Sequence, residues 1–137
     1  MNTLKFLPFI LCFLCLGCED IIECIINKSP ELPNKTFQLG YINSYYQDEL
    51  EGEIKNEPQD DNYAYRFEIY GDLPYGLEMN ANDRILSIEG TPEISGTFTF
   101  KIYLFVDPPE YYDDDTGSYE DALCSYSTSK EYTITIN

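Results

Sequence analysis

From Thr97 to Val106 every second residue is large and apolar. Phe98, Phe100, Ile102 and Leu104 alternate with Thr97, Thr99, Lys101 and Tyr103. Successive side chains of a strand point to opposite faces, so a period of two predicts a long, half-buried strand. The pattern recurs at Tyr63, Tyr65, Phe67 and Ile69, with Arg66 and Glu68 turned the other way, and again from Tyr132 to Ile136. Arg84–Ile88 predicts a shorter strand, and Glu23–Ile26, Phe37–Leu39 and Tyr45–Ile54 predict others. Aromatic and β-branched residues dominate these runs and suit a pleated surface. Apolar positions at helical spacing are not sustained anywhere. Turn signals separate the runs: Ser29-Pro30, Leu32-Pro33-Asn34, Asn56-Glu57-Pro58, Leu73-Pro74-Tyr75-Gly76, Gly90-Thr91-Pro92, Ser95-Gly96 and Asp107-Pro108-Pro109. About six to eight short strands without a helix predict an all-β antiparallel sandwich.

The N-terminus follows a different logic. Lys5 precedes an almost wholly apolar run from Phe6 to Leu16, then Gly17-Cys18-Glu19-Asp20. The run is too short for a membrane span, which needs roughly 20 residues, and it has the form of an export signal. Leu14-Cys15-Leu16-Gly17-Cys18 resembles the lipobox of bacterial lipoproteins, in which the signal is cut before an acylated Cys. Cys15 departs from the Leu commonest at its place. The resemblance implies a signal peptide over 1–17, lipid attachment at Cys18, a lipidated linker over 18–22 and a domain over 23–137. It also implies a bacterial cell envelope location. There the lipid would hold the chain to a membrane, the outer one in preference to the inner, with the domain in the periplasm or on the cell surface. Processing would remove Cys12 and Cys15, leaving Cys24 and Cys124. In an oxidising compartment an even pair becomes a disulfide.

A second resemblance covers Tyr63 to about Asp107. Leu73-Pro74-Tyr75-Gly76-Leu77, then Leu86-Ser87-Ile88-Glu89-Gly90-Thr91-Pro92, then Gly96-Thr97-Phe98-Thr99-Phe100 resemble, in order and spacing, the Ig-like module of bacterial surface proteins, which is related to cadherin-like repeats. Glu89 stands where that family often has Ser. The resemblance implies an Ig-like β-sandwich in which Leu77 and Leu86 anchor a hairpin and Gly76, Gly90 and Gly96 make tight turns. It implies adhesion, spacing or binding, and it brings no catalytic residues.

Charge and composition narrow the function. The 137 residues carry a formal net charge of −17 and contain no His. Such a surface does not neutralise phosphates, which argues against nucleic acid. The lack of His removes His-based triads and His-ligated metals. Asp48–Asp61 and Asp107–Asp121 each hold seven carboxylates, and both stretches are expected in turns or long loops. Calcium takes oxygen ligands from such loops, which makes Asp107, Asp113 and Asp115 calcium candidates, although EF-hand spacing is missing. Convergent paired carboxylates and nucleophile-elbow motifs are not found, so no enzyme is expected. Tyr45, Tyr46, Tyr111, Tyr112, Tyr119 and Tyr126 fall in loops or at strand ends, and Tyr is enriched in interfaces. The long segment Asp107–Leu123 is the expected interaction loop, with Tyr111, Tyr112, Asp113, Asp114, Asp115 and Tyr119 as partner-binding candidates. The expectation is a lipid-anchored, non-enzymatic binding or structural domain with a protein or glycan ligand. The alternatives are a calcium-dependent adhesion module and an inhibitor or immunity-type lipoprotein for a basic protein.

Overall fold

The computed structural model describes Cys24 and residues 27–109, 112–113, 118–119 and 123–137, with only the backbone of 112–113 and 118–119. The strands are β1 (Ser29–Glu31), β2 (Tyr46–Glu51), β3 (Glu53–Lys55), β4 (Ala64–Gly71), β5 (Leu77–Asn82), β6 (Ile85–Gly90), β7 (Gly96–Asp107), β8 (Tyr112–Asp113), β9 (Ser118–Tyr119) and β10 (Ser127–Ile136). One sheet has the order β10-β7-β4 and another β2-β6-β5, all antiparallel. Just before β2 the chain runs parallel to the end of β10, bridging Gly40 to Ile136. An Ig-like sandwich divides its strands this way. Its second, fifth and fourth strands share one sheet, and its third, sixth and seventh share the other. The domain is therefore an Ig-like antiparallel β-sandwich.

Alternation builds its core. Phe100, Ile102, Leu104 and Val106 of β7 and Tyr132, Ile134 and Ile136 of β10 are buried and meet Leu50, Leu77, Leu86 and Ile88 of the other sheet. Burying each such side chain contributes about 1.5–3 kcal/mol before conformational entropy is subtracted. The hairpin anchored by Leu77 and Leu86 is β5–β6, closed by Asp83-Arg84 with Asp83 at φ 54°.

Several local expectations change. Ser29-Pro30, expected as a turn, is strand β1, which pairs only with β3. At the edge of a two-stranded ribbon proline's missing N–H breaks no ladder. Phe37–Leu39 joins neither sheet as a strand, because the Gln38 N–H donates to the Asp48 carboxylate. Cys24 lies in a turn, and Glu23, Ile25 and Ile26 lie outside the described residues. The run Tyr45–Ile54 breaks at Gly52, whose N–H donates to the Arg84 carbonyl. Its carboxylates Asp48, Glu49, Glu51 and Glu53 sit on β2 and β3 and not in a loop. Asp107–Leu123 is not wholly irregular either: Tyr112 pairs with Tyr119 and Asp113 with Ser118.

Tyr46, placed by the sequence in a loop or at a strand end, begins β2 as a core residue, 5% exposed. Its hydroxyl is buried without a hydrogen-bond partner among the described residues. Burial, with the Asp48 charge nearby, pushes its pKa up to about 12. A buried unpaired hydroxyl costs about 1–3 kcal/mol. Tyr46→Phe is therefore expected to raise stability by about 1 kcal/mol in thermal melts. A fall would show that the hydroxyl is satisfied.

Candidate functional site

The N-terminal end of the domain is stapled. Cys24 and Cys124 form a disulfide across 100 positions, with Cα atoms 5.4 Å apart. The Cys124 N–H also donates to the Lys28 carbonyl at 2.8 Å. The staple therefore joins the chain before β1 to the chain just before β10. Cys18 lies outside the described residues, as do Tyr111, Asp114 and Asp115. Of the other partner candidates, Tyr112, Asp113 and Tyr119 lie on β8 and β9. Asp107 ends β7. Among the described residues no group of three or more Cys, Asp or Glu could hold a metal ion.

Five of the seven carboxylates of the first acidic stretch are ion-paired by the fold, through three cations. Lys28 binds Glu57 at 2.8 Å and lowers its pKa. Arg84, at the β5–β6 turn, reaches Glu51 at 3.1 Å and Asp61 at 2.6 Å, and pairs with Asp60 as well. Asp48 occupies a core-facing position of β2 and is 6% exposed. Burial alone would raise its pKa. The Lys35 ammonium and the N–H groups of Gln38 and Glu49 outweigh that effect and hold the carboxyl below its usual range. These contacts tie the segment before β2 to the strand, a structural role that composition did not reveal.

The sign of the Asp48 effect follows from linkage. A carboxyl whose folded pKa is depressed stabilises fully above its unfolded value, about pH 3.9, and that contribution is lost as pH falls through the folded pKa. Asp48→Asn is expected to cost about 1–3 kcal/mol near neutral pH and to flatten the acid limb of stability. Melts from about pH 7 to about pH 2 check this. An unchanged acid limb would assign it to other carboxylates.

The two sheets present unlike outer faces. On β2-β6-β5, Glu49, Glu51, Glu78 and Glu89 occupy outward positions, with Glu78 and Glu89 directly opposite. Glu89 accepts a hydrogen bond from the Tyr45 hydroxyl at 3.1 Å. On β10-β7-β4 the outward positions carry an aromatic strip. Tyr70 and Tyr103 meet edge to face at 5.0 Å, and Tyr103 and Phe105 stack at 6.4 Å with 15° between their planes. Arg66 lies over Phe105 at 4.2 Å and pairs with Glu68, which also accepts a hydrogen bond from the Tyr70 hydroxyl. Lys101 lies over Tyr103 at 5.9 Å, with Glu131 opposite it on β10. Tyr70 is 59% exposed. Tyr103 and Phe105 are half-buried. The tyrosines singled out in loops did not include this strip. Its sequence signal is that outward positions polar at Thr97, Thr99 and Lys101 become aromatic at Tyr103 and Phe105.

No protein-family model and no curated protein matches the chain. Among solved structures it is similar to a proposed alpha-galactosidase from Bacteroides fragilis NCTC 9343 (18% identity, 82% of this chain, 18% of that one, TM-score 0.48). It is also similar to titin M4 (8% identity, 81% of this chain, 98% of that one, TM-score 0.47). A third is the sialic acid binding region of a Streptococcus sanguinis SK1 adhesin (17% identity, 80% of this chain, 29% of that one, TM-score 0.47). The chain spans less than a fifth of the length of the alpha-galactosidase. No activity is drawn from these likenesses, and the Ig-like fold rests on the strand order itself.

Proposed function

We infer that the chain is a lipid-anchored protein of the bacterial cell envelope whose Ig-like domain is a non-enzymatic binding module. The observation that carries the binding role is the outer face of β10-β7-β4. The core is supplied by the inward residues of these strands, so Tyr70, Tyr103 and Phe105 are surplus to it. Apolar rings grouped on a surface mark interaction sites more than scattered ones do. The anchor rests on the lipobox resemblance at Leu14–Cys18, and it suits a domain in which Cys24, shortly after Cys18 in the sequence, is covalently tied to the body.

Fractionation of cells making the full chain tests the anchor. The protein should sediment with membranes and leave them when Cys18 is replaced by Ala. A Cys18→Ala protein distributed like the parent would overturn the anchored reading.

A second reading, an inhibitor or immunity-type protein for a basic partner, is favoured by the four glutamates on the outer face of β2-β6-β5. Capture of such a partner would weaken steeply with salt, since exposed charge pairs are screened. Loss on removing Tyr70 would assign that partner to the other face instead.

A further inference from the structure

We propose that the outer face of β10-β7-β4 is a platform for a neutral glycan, read by Tyr70, Tyr103 and Phe105 with Arg66 and Glu68. This deepens the binding role above and rests on that reading.

The chemistry of the face selects the ligand class. A sugar ring presents C–H groups on its faces and hydroxyls around its rim. The C–H faces pack on aromatic rings, whose π faces carry partial negative charge. The three rings run on at 5.0 and 6.4 Å between centroids; Arg66 lies over Phe105 and Lys101 over Tyr103, so Tyr70 offers the most open ring and the other two extend the strip beside it. Along β4, Arg66, Glu68 and Tyr70 occupy alternate positions on one face and are linked to each other. Their donors and acceptors border the strip where sugar hydroxyls would lie. Arg66 is held by Phe105 below and Glu68 beside it, so its planar fork needs little further ordering.

Charge decides among the other occupants. On this face Arg66 and Lys101 stand against Glu68, Glu131 and Asp107, one carboxylate more than the cations, whereas the whole chain carries −17. A polyanion approaching such a chain is repelled. A basic protein finds stronger attraction on the opposite sheet, with its four glutamates. A second copy brings another large negative charge. An uncharged saccharide meets none of these penalties.

Affinity electrophoresis of the full-length protein in mild detergent tests the proposal. Native gels would contain galactomannan, xyloglucan, starch or mixed-linkage β-glucan, with polygalacturonate and heparin as anionic probes. At least one neutral polymer should retard the protein, and neither anionic one should. Tyr70→Ala and Tyr103→Ser should each weaken retardation about tenfold. Tyr45→Ala, at an exposed tyrosine just before β2 that bonds Glu89 of the other sheet, should leave it unchanged. Retardation by no neutral polymer overturns the proposal, as does equal loss in Tyr45→Ala. A dimer in sedimentation that Tyr70→Ala abolishes would give the face to a second copy and also overturn it. Cys18→Ala should retain retardation, so failure of the anchor and failure of the platform are read separately.

Discussion

Gly76→Ala and Gly90→Ala are each expected to destabilise the domain by about 2–6 kcal/mol, and the double variant is not expected to fold. Two penalties combine. Gly76 sits at φ 93° and Gly90 at φ 139°, where a side chain strains the backbone by about 1–3 kcal/mol. A Cβ on Gly76 would also stand 2.1 Å from the Thr91 carbonyl oxygen, and one on Gly90 the same distance from the Gly76 carbonyl oxygen. Backbone must move to relieve either contact, which typically adds about 1–3 kcal/mol. The two glycines meet where β5 begins and β6 ends, and Thr91 N–H donates to the Gly76 oxygen there at 3.0 Å. Denaturant melts of the single variants check this. A loss below about 1 kcal/mol would mean that the corner yields freely.

Removing the disulfide by Cys24→Ser with Cys124→Ser is expected to cost about 2–5 kcal/mol. The crosslink spans 100 positions, and the chain-entropy model assigns a loop of that size about 4.7 kcal/mol. For a domain of this size the loss corresponds to a fall in Tm of roughly 8–20 °C. A reducing agent should reproduce the fall in the parent and do nothing to the variant. An unchanged Tm in the variant would show that the staple contributes nothing beyond the local contact of Cys124 with Lys28.

The sequence was most legible where one physical pattern decided the outcome. Period-two alternation placed β4, β7 and β10 on their correct faces, because a slip of one residue would turn Ile102 and Leu104 outward. The corner glycines were visible because no other residue tolerates their geometry. Charge was less legible. A run such as Asp48–Asp61 reads as a solvated loop until tertiary contacts bring Lys28, Lys35 and Arg84 to it from distant positions. Asp48 is the sharpest case, since a carboxylate at a core-facing strand position is tolerated only when Lys35, Gln38 and Glu49 converge on it. For Tyr46 a related limit applies: alternation sets its face, while the depth of burial, which takes in the hydroxyl as well as the ring, depends on the opposing sheet. The aromatic strip was hidden because Tyr70 and Tyr103 belong to different strands. Only the register that sets Glu68 opposite Tyr103 and Tyr70 opposite Lys101 joins them.

The proposed export and lipid anchoring divide the cysteines into lost, acylated and bonded. The intact mass of the protein extracted from membranes, followed by peptide mapping without reduction, tests this division most directly. The expected result is a chain beginning at Cys18, bearing the added mass of its acyl chains, with Cys24 and Cys124 recovered as one linked peptide pair. A chain that retains residues 1–17, or an unmodified or disulfide-bonded Cys18, would contradict it.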